Sequence, residues 1–351
     1  MWTVRATLEW TQAHFEAKDV PSPRLSAQWL LCAATGLTRL ELYTNYDLPL
    51  AGAQLEVLRA GIKRRIAGEP LQYILGKAPF RRLELAVRPG VLIPRPETEV
   101  LVDVVLDELR ARGGGGPSEL RARGGGGACV DGENSGQDGD SVRSAVGEAR
   151  CVPAADEPQE RRPPATSSAP EPAVLELGTG SGCIALSLLH ECPNVCVIAT
   201  DIDPAALGLA HENAQALGLD ADGRLTLLED DLAASLLADE ARHGSFDVVV
   251  SNPPYIPTAA LDDLPAEVAD HEPRRALDGG ADGLVCFRRI VAEAALLLAP
   301  GGLLACELHE TTLDDAAALC QGQGYTDATI LPDLTGSPRI ITARAPAGLV
   351  S

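Results

Sequence analysis

Residues 173–190, AVLELGTGSGCIALSLLH, decide the fold. Ala173–Leu177 is a short apolar run of the kind that forms a buried strand. Cys183 onward reads as a helix, with leucine and isoleucine at helical spacing. Between them lies Gly178-Thr179-Gly180-Ser181-Gly182. Glycines in such a turn permit positive φ and let a ligand approach the backbone closely. The dinucleotide fingerprint GxGxxG is not met, because the third glycine comes one residue early and Cys183 stands in its place. The pattern is GxGxG behind an acid, Glu176.

The same rhythm of strand and helix continues outward. Apolar strands are predicted at VCVIAT (195–200), RLTLLE (224–229), FDVVVS (246–251) and LLACEL (303–308), with helical runs between. That alternation predicts an α/β fold: a Rossmann-like, mostly parallel sheet with helices on both faces. The tail, TDATILPDLTGSPRIITARA (326–345), supplies two further strands as an antiparallel edge. Ligands of such sheets bind at the carboxyl ends of the strands. The first strand ends in the glycine turn and the second at Asp201, placed to reach ribose hydroxyls. Asp203, before Pro204, is the better helix cap. The third strand ends in Glu229-Asp230-Asp231-Leu232. Asp231 is placed to accept from an adenine amino group and Leu232 to pack on the ring, although acids at a helix start read equally well. An acid followed by GxGxG, then two acid-ended strands, is the pattern of S-adenosylmethionine (SAM) methyltransferases.

The fourth strand stops at Asn252-Pro253-Pro254-Tyr255. Asn252 precedes a proline and is pushed toward extended backbone. The prolines fix φ and offer no N–H, so the Pro253 carbonyl lacks a local partner. With the Asn252 side-chain oxygen it makes two acceptors in a stiff loop. Two acceptors suit both hydrogens of a planar –NH2 group and can aim its nitrogen at a methyl donor. Tyr255 can pack on the flat face of that group. The loop alone does not separate adenine, cytosine or amide substrates. A pair of prolines that merely ends a strand is the bland alternative.

Bulk properties narrow the partners. The net charge of -21 and the presence of only three lysines oppose binding to a phosphate backbone. Nine cysteines without a CxxC pair read as thiols of a reducing compartment. No histidine pair has zinc-site spacing, so no metal is expected. No run approaches the ~20 apolar residues of a membrane helix, and acids near the N-terminus do not fit a targeting peptide. A cytoplasmic monomer is the expectation.

Four segments follow from composition. Residues 1–80, with helical periodicity in 1–75 and eight of the twelve aromatics, form a small all-α domain. Residues 81–112 hold a linking β-hairpin (83–93, around Arg88-Pro89-Gly90) and a helix for which Thr98 is the N-cap. Residues 113–172 are expected to be a disordered low-complexity insertion: ELRARGGGG at 108–116 recurs at 119–127, and the segment has no aromatic and one leucine. Residues 173–351 are the catalytic domain.

Taken with IPRPETE (93–99), HEPRRALDGGADGL (271–284) and LPDLTGSPR (331–339), the segments LELGTGSGCIAL and NPPYIP resemble the HemK/PrmC family. The resemblance covers about residues 20–345 apart from 113–172. It implies methyl transfer from SAM to the side-chain amide of glutamine in the Gly-Gly-Gln motif of class 1 peptide chain release factors, with residues 1–80 recognising that substrate. It places Gly178, Thr179, Gly180, Ser181, Gly182, Asp201, Asp231, Leu232 and Asn252 at the cofactor, and Asn252, Pro253, Pro254 and Tyr255 at the glutamine. Arg95, Glu97 and Thr98 would brace the site edge, or merely start a helix. A nucleic-acid amino-methyltransferase would use the same loop; the acidity of the chain speaks against it. A dehydrogenase fits neither the glycine spacing nor the NPPY loop, and a non-catalytic SAM scaffold would not need Asn252.

Overall fold

The apolar runs pair as their alternation with helices predicts. The computed structural model describes residues 1–112 and 171–346. Five helices open the chain: α1 (Val4–Glu16), α2 (Pro23–Thr35), α3 (Arg39–Thr44), α4 (Gly52–Ile66) and α5 (Leu71–Leu75). A hairpin of β1 (Lys77–Phe80) and β2 (Leu83–Ala86) follows, then α6 (Thr98–Arg112). Next come β3 (Ala173–Leu177), α7 (Cys183–Glu191), β4 (Cys196–Asp201), α8 (Pro204–Leu217), β5 (Leu225–Glu229) and α9 (Ala234–Leu237). The chain continues through β6 (Phe246–Ser251), α10 (Ala266–Ala269), α11 (Val285–Leu297), β7 (Leu298–Glu307), α12 (Leu313–Gly322), β8 (Thr326–Pro332) and β9 (Pro338–Arg344).

Among the described residues, β3 to β9 form a seven-stranded sheet in the order β5-β4-β3-β6-β7-β9-β8. Pairing is parallel from β5 to β7, whereas β9 runs antiparallel to both β7 and β8. The order reverses between β3 and β6, so their carboxyl ends flank the crevice where such sheets bind ligands. Side chains of these strands alternate between two cores. Val174, Val248 and Val250 pack with Leu101 and Leu106 of α6 and Ile184 and Leu188 of α7. Leu175, Leu177 and Val249 pack on the other face with Phe287 and Ile290 of α11. A two-residue period facing two helical layers is what a sheet buried on both sides requires.

The N-terminal helices have a core of their own, built from Val4, Leu8 and Phe15 of α1, Leu30 and Leu31 of α2, and Leu58 and Ile62 of α4. Thr38 and Glu41 form a capping box at the start of α3. Arg65 is buried; it donates to Ser26 Oγ, to the Pro21 and Glu69 carbonyls, and pairs with Glu267 at 3.0 Å. That pair ties the helices to the segment after β6.

Three expectations are corrected. The hairpin lies at 77–86, not 83–93, and turns at Arg81 (φ 52°). Val91 and Ile93 are buried, as alternation implied, but Val91 packs on Ala206 and Leu209 of α8 instead of pairing in a ladder. Thr98 is the first helical residue and its side chain does not cap α6: its hydroxyl donates to Glu307. The last parallel strand begins at Leu298, five residues before the expected 303. The insertion expected at 113–172 lies outside the described residues, except for Glu171 and Pro172. The Pro172 carbonyl accepts from Cys196 N.

Candidate active site

Each glycine of the turn after β3 adopts positive φ: 74° at Gly178, 58° at Gly180 and 83° at Gly182. A Cβ at Gly182 would sit 3.2 Å from Ala210 Cβ of α8, so a side chain there would also crowd the helix packing. Asp201 holds the turn from the neighbouring strand, accepting from Gly180 N at 2.8 Å and from Asp203 N at 2.9 Å. Asp203 caps α8 through Ala205 N, as its place before Pro204 predicts, and its other oxygen meets Arg275.

The two acids after β5 divide their work. Asp230 accepts from Ser235 N and Oγ at the start of α9. Asp231 pairs with Arg289 of α11 at 2.8 Å. Leu232 takes left-handed backbone (φ 57°). Gly178, Thr179, Gly180, Ser181, Asp201, Asp231, Leu232, Asn252 and Pro254 all line one cleft of about 220 Å³. Gly182, Pro253 and Tyr255 are not among the residues that line it.

Glu176 lies beneath the turn, fully buried. Its Oε2 accepts from Thr179 Oγ1 (2.8 Å) and Ala185 N (3.0 Å), while Oε1 has no partner. Burial pushes its carboxyl up to about 8, against the pull of those two hydrogen bonds. A cationic ligand group beside the partnerless oxygen would favour the ionised form that burial opposes.

Asn252 follows Ser251, whose Oγ donates to the Leu177 carbonyl at 2.7 Å, so the NPPY loop starts beside the glycine turn. Asn252 Nδ2 donates to Thr98 Oγ1 at 3.0 Å. No hydrogen bond to Asn252 Oδ1 or to the Pro253 carbonyl forms among the described residues. These are the two acceptors the sequence predicted. Tyr255 donates to Glu307 Oε1 at 3.1 Å, and its ring packs against the core around α11.

A family model described as the PrmC N-terminal domain matches residues 6–76, and one described as the methyltransferase small domain matches residues 165–269. The release factor glutamine methyltransferase of Geobacter sulfurreducens is 36% identical over 344 residues, covering 98% of this chain and 97% of that protein. The chain belongs to the release factor glutamine methyltransferase family. The Moorella thermoacetica member is 39% identical over 342 residues, with 97% and 98% covered. Among solved structures, the release-factor-specific protein-(glutamine-N5) methyltransferase of Alicyclobacillus acidocaldarius is similar at 23% identity, covering 75% of this chain and 99% of that one, with a TM-score of 0.37.

Family motifs outside the glycine turn and NPPY find their places in the site. Arg95 of IPRPETE pairs with buried Glu272 of HEPRRALDGGADGL at 2.7 Å, and Arg95 and Arg275 line the cleft. Ile256 N bonds to the Leu277 carbonyl and Gly279 N to the Ile256 carbonyl, each at about 2.9 Å or less. The segment after NPPY thereby clamps the loop. A Cβ at Gly283 (φ 77°) would lie 2.4 Å from the Tyr255 carbonyl. Glu307, Arg275 and Arg289 were not singled out from sequence. Glu307 is the last residue of the observed β7 and the next to last of the predicted strand LLACEL, and an acid near the end of a strand of this sheet was the available signal.

Proposed function

We propose that this protein transfers a methyl group from SAM to the side-chain amide nitrogen of the glutamine in the Gly-Gly-Gln motif of class 1 peptide chain release factors. The observation that carries the reading is the pair of unpartnered acceptors, Asn252 Oδ1 and the Pro253 carbonyl, at the end of β6 next to the glycine turn. Bound SAM supplies an electrophilic methyl on a sulfonium.

The cleft residues fit such a molecule. The partnerless Glu176 Oε1 suits its positive charge. The turn Gly178–Gly182 lets it approach the backbone, and Asp201 keeps lone pairs for ribose hydroxyls beyond the two amides it already accepts from. Asp231 and Leu232 would flank the adenine. Asn252 and Pro253 would accept both hydrogens of the glutamine amide, aim its nitrogen and stabilise the positive charge that develops on it. Pro254 and Tyr255 stiffen the loop. The nitrogen becomes acidic only as the methyl arrives, so the loop needs no general base. Two glycines before the glutamine would thread it through a narrow entrance. With that substrate the protein would work in the cytoplasm.

The test is incubation with tritium-labelled SAM, a purified release factor and duplex DNA. Label is expected in the release factor, and lost on Asn252→Ala and on alanine substitution of the target glutamine. Label in DNA alone would overturn the proposal.

A further inference from the structure

Asn252 serves only if its amide faces the right way. Rotated by half a turn, it would present –NH2 to the substrate –NH2, donor against donor. Nothing in an isolated asparagine chooses between the two orientations. Its Nδ2 donates to Thr98 Oγ1 at 3.0 Å, but a hydroxyl can give or take. The choice is made one bond further on. The Thr98 proton goes to Glu307 Oε2 at 2.6 Å, leaving only lone pairs toward Asn252. Glu307 Oε1 takes the Tyr255 hydroxyl at 3.1 Å. An ionised carboxylate only accepts, so both hydroxyls must point at it and the direction of the chain is set.

We propose that Glu307, acting through Thr98, is the positioning residue that holds the Asn252 amide with Oδ1 toward the methyl-accepting nitrogen. The inference rests on the reading of Asn252 as an acceptor for that nitrogen. Three elements converge on the carboxylate: Thr98 on α6, Tyr255 after β6, and Glu307 itself at the end of β7.

Further groups face Glu307. Arg339 of β9 favours its charge and Glu97 before α6 opposes it, while Cys183 of α7 carries a thiol that burial keeps protonated. Burial is the largest influence and raises the Glu307 carboxyl. Once protonated it becomes a donor, Thr98 is released from its direction, and the Asn252 amide is free to turn. Transfer should therefore have an acid limb set by Glu307.

The experiment measures kcat and KM for release-factor methylation in the full chain. Thr98→Val, Glu307→Gln and their combination are compared with Thr98→Ser. The first two should each lower kcat about 10- to 100-fold with KM changed by less than about threefold, because acceptor geometry at the reacting nitrogen is degraded and binding is not. The double variant should fall no further than the worse single one. Thr98→Ser should restore what Thr98→Val loses, and Glu307→Gln should abolish the acid limb. Full kcat in Glu307→Gln, additive losses, or equal losses in Thr98→Ser and Thr98→Val would each overturn the inference.

A wild-type protein that labels no release factor would overturn the proposed function instead. The inference is then read without a methyl acceptor, from the nitrogen-15 resonances of the Asn252 –NH2 group, identified by their loss in Asn252→Asp. Exchange with solvent about tenfold faster in Thr98→Val and Glu307→Gln than in wild type supports it; unchanged exchange rejects it.

Discussion

At the scale of single residues, the proposed chemistry is tested through two side chains, Asn252 and Glu176. Asn252→Ala removes one of two acceptors for the amide hydrogens, so kcat should drop about 100- to 1,000-fold, the usual cost of losing one preorganised polar partner of a transition state. Binding of SAM, measured by calorimetry, should change little, because the glycine turn and Asp201 are untouched. Glu176 makes a pH-dependent prediction. Its carboxyl is pushed up to about 8 by burial, well above its value in an unfolded chain. The folded state then keeps a proton that the unfolded state releases, so this residue lowers stability as pH rises toward about 8. Glu176→Gln should flatten that decline and melt higher than wild type above about pH 8, while binding SAM more weakly. A wild-type melting curve with no extra decline over that range would contradict it.

At the scale of elements, the loop after β6 is shaped by the segment that follows it. Gly283 has φ 77° and would bring a Cβ within 2.4 Å of the Tyr255 carbonyl. Gly283→Ala should displace NPPY, lowering kcat about 100-fold with near-native far-ultraviolet circular dichroism. The motif DGGADGL was visible in the sequence, but its target was not, because the pairing of Ile256 with Leu277 and Gly279 joins segments some twenty residues apart. The hairpin shows the converse. Alternation in 83–93 marked the buried side chains correctly, yet Val91 finds α8 instead of a partner strand. Periodicity reports which side faces a core, not what fills it. Thr98 was misassigned for a similar reason: threonine at a helix start is an ordinary cap, and only the fold brings Glu307 within 2.6 Å of it.

Across the whole molecule, distant segments are tied by a few buried charges. Arg65 is 4% exposed and binds Ser26, Pro21, Glu69 and Glu267. Arg65→Ala should cost about 3 kcal/mol in denaturant unfolding, because it strands several buried acceptors at once. The ends flanking residues 113–170 meet at one carboxylate. Arg112 bonds Asp247 Oδ1 at 2.7 Å and Ala173 N bonds Oδ2 at 2.9 Å. A short flexible linker in place of 113–170 should therefore close the gap and leave methyl transfer within about twofold of wild type, since loop closure costs little extra with length. Loss of SAM binding in that variant would show that the segment has a role in the site.

The alternation of strands and helices, the glycine turn, the acids at strand ends and the partnerless acceptors of NPPY were determined by the sequence itself, because each is a local matter of periodicity, backbone freedom or a missing N–H. The separation of Asp230 from Asp231, the clamp on Tyr255 and the path from Glu307 through Thr98 to Asn252 were decided only in the tertiary structure. The first two depend on which distant segments meet, and the last on the direction in which a hydrogen bond runs between residues as far apart as 98 and 307. No local pattern records that direction, because hydroxyls and amides accept and donate alike until a fold supplies the carboxylate that settles it.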